Sequence, residues 1–170
     1  MDGSVDPLKQ IVGIYIRMGE AEISRLRDHP EILPKYDPRV ALADGRGLDL
    51  GRAWEELAVF IDGGIKVPDT GPTVGVVPLP SSDTRAEWSY IPATSVAEMS
   101  QELLRIEKKE FAERYEADLE DTADSLPDAR TDGWGDRRTY LRKKLRVLSA
   151  HFARAAQRNE AMLVRIGERI

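Results

Sequence analysis

Apolar positions along the chain fall into two rhythms, one near two residues and one near three and a half. Residues 11 to 16, "IVGIYI", form a dense run of β-branched and aromatic side chains, which predicts a buried strand with Gly13 at a close approach or local kink. "GEAEISRLRDHP" then takes helical spacing, with Ile23 and Leu26 on one side and Pro30 as the stop. The two prolines of "EILPKYDPRV" predict an irregular stretch. From 48 to 64 a helix is expected, capped by Asp49 and ended by Gly63 or Gly64. Its apolar face is Trp54, Leu57, Ala58 and Ile61.

Between 63 and 83 glycine and proline recur every few residues, so neither a helix nor a central strand is expected there. A loop of that length is either functional or disordered. "EWSYIP" reads as a short edge strand. Ser95 and Glu98 have capping-box spacing at the head of a helix to 106, striped by Val96, Met99, Leu103 and Ile106. Helical spacing resumes through Phe111, Tyr115 and Leu119 and ends at Pro127. A glycine-bracketed loop around Trp134 follows. The last helix carries Leu141, Leu145, Leu148, Phe152, Ala155 and Ala156 on one narrow face, and Asn159 is its expected exit. "AMLVRI" reads as a strand with Arg165 facing away from Leu163's apolar neighbours. No repeat or linker divides the pattern. The expected fold is α+β: residues 1–170 as one compact domain, a small sheet that includes the first and last strands, and about five covering helices. Residues 1–10 form a polar tail.

Composition narrows the chemistry. At 170 residues the chain is long enough to bury a core without staples. It has no cysteine, which removes disulfides, thiolate nucleophiles and sulfur-rich metal sites together. With only two histidines, a structural zinc site is not expected, and no cofactor motif is present. The net charge of -5 argues against nucleic acid as the partner of the whole chain. The start lacks a basic region followed by a long apolar stretch, and 11–16 is too short to span a bilayer. A cytoplasmic protein without membrane contact is the expectation.

The candidate residues are few. The carboxylates between Glu98 and Asp128 could supply an acid–base pair, but a helix face paired with Arg105, Lys108, Lys109 and Arg114 explains them more simply. The basic run 137–146 spreads around the arc outside the leucine face, which favours pairing with the acidic helix or a protein partner over a polyanion stripe. His151 sits near the leucine face and is expected at its rim, hydrogen-bonded at the core edge; no serine or cysteine motif offers a nucleophile for it to activate. No catalytic residue or metal ligand is nominated. Trp134 between two glycines is either a lid on the core or an exposed recognition residue. Trp88 and Tyr90 form a second aromatic cluster beside the long loop. The candidate binding set is therefore Trp134, Tyr90, Trp88 and His151.

Four pieces in order, "GIYIRMGEAEISRL", "LDLGRAWEELAVFIDGG", "YIPATSVAEMSQEL" and "LRKKLRVLSAHFARAAQRNEAMLVRIG", resemble the YfbM-like bacterial proteins, a domain of unknown function. The resemblance runs from about residue 11 to 167. It implies a compact single-domain α+β fold and brings no activity, cofactor or catalytic residue with it. Two positions depart from the family's pattern: Ala58 stands where the tryptophan helix often has histidine, and "EWSYIP" stands where a Gly-Pro pair often precedes the middle helix.

Two functions fit these observations. One is a non-enzymatic binding or regulatory protein that works through a protein partner or self-association, in the manner of an immunity protein. The other is a small-molecule binder or hydrolase with its site between the 63–83 loop and the middle helix, near Tyr90, Trp88 and His151.

Overall fold

The two strands with the most apolar sequences lie side by side at the centre of one sheet. β1 (Ile11–Met18) and β5 (Ala161–Glu168) pair antiparallel along their whole length, from Ile11 opposite Glu168 to Met18 opposite Ala161. β2 (Gly47–Gly51), β3 (Val77–Leu79) and β4 (Ala86–Ile91) complete an antiparallel sheet in the order β2-β1-β5-β4-β3. This computed structural model describes residues 10–64, 66–122 and 137–170. Trp134 with its glycine loop, and the polar tail at 1–9, lie outside the described residues.

Both faces of the sheet are covered, which is why β1 and β5 read as continuous apolar runs. On one face Val12, Ile14, Ile16, Leu163 and Trp88 pack with residues of α1 (Glu20–Asp28), the 3-10 turn Pro30–Lys35 and α2 (Pro38–Ala43). On the other, Tyr15, Met162 and Val164 pack under α3 (Ala53–Asp62), α4 (Ala93–Arg105), α5 (Phe111–Thr122) and α6 (Arg137–Gln157). Leu141, Leu145, Leu148, Phe152 and Ala155 of the expected α6 face are fully buried and Ala156 is half-buried, and Asn159 leaves the helix with φ 53°, the left-handed exit its amide side chain tolerates. The fold is thus the α+β arrangement expected, with the first and last strands in its sheet.

Several element boundaries differ from the sequence reading. Residues 47–51 are an edge strand, not the first turn of the tryptophan helix: Leu48 and Leu50 belong to β2, and Asp49 Oδ1 accepts the Gly51 amide at 2.7 Å instead of capping α3. α3 starts at Ala53 and ends, as expected, at Gly63 with φ 75°. The prolines of 31–40 do not prevent helical turns: Pro38 sits at the first position of α2, where the missing N–H costs nothing, with Asp37 as its cap, and Pro34 lies inside the short 3-10 turn Pro30–Lys35. β4 is an interior strand, flanked by β5 and β3; the edge is β3, the position that Pro78 tolerates. Finally, α4 begins at Ala93 rather than at a Ser95 cap. Its first amide is satisfied from another helix, by Glu20 Oε1 at 3.0 Å.

Candidate binding cleft beside Trp88

Of the four residues nominated from sequence, three are described, and the sheet divides them. His151 points from α6 into the helical face. Its Nε2–H donates to the Tyr15 carbonyl at 3.0 Å, and the residue is 5% exposed, so it is a core histidine rather than a rim one. Burial pushes its pKa down to about 4; the Tyr15 hydrogen bond opposes this, and the Arg17 and Arg154 charges reinforce it. It is a neutral donor at pH 7. Tyr15 extends the chain of contacts, its hydroxyl donating to the Thr73 carbonyl at 2.6 Å in the long loop. Burial raises that phenol's pKa and keeps it a donor.

Tyr90 and Trp88 occupy alternate positions of β4 and face the other way, against Ile14, Leu163 and the α1 side. They are 7% and 4% exposed. No shared pocket with His151 is therefore formed.

Trp88 stands between two clefts. The first, about 650 Å³, lies between residues 67–76 of the long loop and the β3–β4 hairpin. The loop is held down at this wall: Ser89 Oγ donates to the Val74 carbonyl at 3.0 Å, and Val76 N–H donates to Tyr90 O at 3.2 Å. Gly75 sits so close to Ser89 that a Cβ there would overlap its Oγ. The second cleft, about 500 Å³, is bounded by the 34–39 segment, the turn before β4 and the end of β5. Asp83 and Trp88 line both. A smaller cavity of about 220 Å³ lies between the loop at 68–73 and α4, with Asp62, Glu102 and Arg114 in its walls. Arg114 there closes the α3 end by donating to the Ile61 carbonyl.

The residue that organises the second cleft was not among those nominated. Arg165 lies in the central strand β5, is 5% exposed, and holds its guanidinium 5.7 Å from the Trp88 ring centre. Tyr36 packs edge-on to the same ring at 6.1 Å. Arg165 Nη1 donates to the Glu168 carbonyl at 2.8 Å. Trp88 Nε1 donates to Asp83 Oδ2 at 3.2 Å. Burial works to raise the Asp83 pKa, but the Arg85 amide, the Trp88 indole and the Arg165 charge outweigh it and hold the carboxyl below its ordinary range. Alternation within "AMLVRIGE" suggests a solvated face for Arg165; because both faces are covered, the arginine is enclosed. An arginine in an otherwise apolar strand with covered faces was the available signal.

Among the described residues the carboxylates between Glu98 and Asp128 pair mainly with cations of their own stretch, Glu110 with Arg105 and Arg114, and one ion pair reaches the basic run. Glu107, buried in the π-helical turn Ile106–Glu110, is 3.2 Å from Arg146 Nε, and Arg142 lies over the Phe111 ring. Among the described residues no group of three or more His, Asp or Glu is arranged to hold a metal ion, and no helix is long and apolar enough to cross a membrane.

A family model described as a domain of unknown function (DUF1877) matches residues 10–165. No curated protein matches the sequence significantly. Among solved structures, a protein of unknown function, YfbM from Escherichia coli, superposes with a TM-score of 0.58 at 14% identity, over 91% of this chain and 99% of its own. At that identity the likeness establishes the fold and nothing finer.

Proposed function

The chain belongs to the DUF1877 family, whose function is unknown, and from that premise we propose that it is a cytoplasmic, non-enzymatic binding protein that grips a protein partner in the groove on both sides of Trp88. The observation that carries this reading is the sharing of Trp88 and Asp83 by two adjoining clefts of opposite character. The first is apolar with acidic residues, Asp69 and Glu87, on its wall. The second is rimmed by Lys35, Arg39, Arg85 and Arg169. A long open groove with an aromatic centre and separated charges suits an extended polypeptide segment, whose register such charges would set. An enclosed small-molecule site would surround its ligand more fully.

Affinity purification from the native cell tests the reading, with the wild-type chain and the double variant Arg85→Glu, Glu87→Arg as baits. Both positions are exposed. A partner held by the wild type and depleted about tenfold by charge reversal is the expected result. Equal recovery of the same proteins by both baits overturns it.

A second reading is favoured by the 220 Å³ cavity beside α4, where Asp62 and Glu102 face the loop. It is a small-molecule or hydrolase site. Turnover of a metabolite by the purified chain, lost in Glu102→Gln, would establish it and displace the first.

A further inference from the structure

Charged side chains seldom reach the burial of Arg165 without a partner charge. One nitrogen is accounted for by the Glu168 carbonyl and one ring face by Trp88. No carboxylate among the described residues lies within ion-pairing distance of this guanidinium. Asp83, the carboxylate whose charge acts most strongly on it, is turned to the Trp88 indole and the Arg85 amide. The remaining donors of the fork open onto the 500 Å³ cleft and meet no protein acceptor there. Around the mouth, Arg39 is consumed by its two-point pair with Asp37, at 3.0 and 3.2 Å. Lys35 and Arg169 leave the cleft positive in a chain whose net charge is -5.

We propose that this cleft is a carboxylate-binding site, in which Arg165 contacts the anion and Trp88 fixes the plane of its guanidinium. A planar fork with unused donors matches a carboxylate in two-point geometry. Asp37, Asp83 and Glu168 in the walls penalise a dianion such as phosphate more than a monoanion. The occupant is an acidic side chain of the partner's segment, entering from the positive end of the groove; in that identification the inference rests on the protein-partner reading above.

The test is a titration of the ¹⁵N-labelled full chain with acetyl-Ala-Glu-Ala-amide, with acetate and with inorganic phosphate. The Trp88 indole and Arg165 Nε–H resonances are followed. The peptide is expected to move both at millimolar concentrations, and acetate to compete with it. Arg165→Lys keeps the charge but not the fork, and should weaken binding by about tenfold. Arg165 is buried and its replacement can disturb the fold, so Arg85→Ala at the exposed rim serves as a second variant and should weaken binding by about threefold. Resonances that stay still up to tens of millimolar overturn the site. Phosphate binding tighter than the peptide overturns the carboxylate assignment. Peptide binding unchanged in both variants overturns the role of Arg165 while leaving the partner reading intact. Acetate binding without peptide binding upholds the carboxylate site and removes the partner reading.

Discussion

His151 makes the stability of this protein depend on pH in a calculable way. In the folded chain its pKa is held at about 4, against an ordinary value of 6.5, by burial and by the nearby Arg17 and Arg154 charges. The unfolded chain therefore takes up a proton between pH 6.5 and 4 that the folded chain refuses. The sign follows: this contribution is fully present above pH 6.5 and is lost as pH falls toward 4. Relative to pH 7.5, the loss from this one residue is about 2 kcal/mol at pH 5 and about 3 kcal/mol at pH 4. Urea unfolding of the wild type alone would mix this effect with the many carboxylates. His151→Gln isolates it, because glutamine can still donate to the Tyr15 carbonyl and does not titrate. The stability difference between wild type and His151→Gln should fall by about 2 kcal/mol between pH 7.5 and pH 5. Parallel stability curves would refute the reasoning, as would a His151 ring-proton resonance, assigned by its absence from His151→Gln, that titrates near 6.5.

Two further substitutions probe how the long loop is held. Tyr15→Phe removes the hydroxyl that donates to the Thr73 carbonyl from a fully buried site and should destabilise the chain by about 1–3 kcal/mol, read by denaturant unfolding. Gly75→Ala forces a Cβ to within 2.7 Å of Ser89 Cβ at a backbone φ of +86°, and should free the 63–83 loop, read as faster limited proteolysis there with α6 still protected from hydrogen exchange.

Much of the architecture was legible because its signals are local. The apolar runs of β1 and β5 and the leucine face of α6 are each carried by consecutive residues, and Gly63 and Asn159 supply the backbone conformations that end their helices. The misreadings share one cause: a non-local partner overrode a local signal. Gly47–Gly51 pairs with β1, which no helical pattern can report. Glu20 supplies the acceptor that makes a Ser95 cap unnecessary. The candidate site suffered most. Trp88, Tyr90 and His151 are all buried aromatic groups, yet strand parity sends the first two to one face and α6 carries the third to the other. Periodicity within one element cannot say which face its neighbour covers. Arg165 was passed over for the same reason, since alternation implies solvent only where one face is open.

The buried polar groups themselves separate scaffold from site. On the helical face most needs are met within the chain: His151 donates to Tyr15, Tyr15 to Thr73, Glu107 meets Arg146, and Arg17 reaches Glu160 at 2.8 Å and the Gly45 carbonyl at 3.2 Å, its Nε alone finding no acceptor. Tyr15 thereby joins α6, through its carbonyl, to the long loop at Thr73 in the wall of the 220 Å³ cavity, through its hydroxyl. Such satisfied groups fix a geometry, and their loss reads out as stability. Across the sheet, Arg165 is equally buried but keeps donors for which the chain offers no acceptor. Those donors open onto the cleft, where a ligand's oxygens can take them up in two-point geometry. That difference is why the binding role belongs to Arg165 and its Trp88 platform, and why His151, for all its chemical versatility, belongs to the frame that holds the groove in shape.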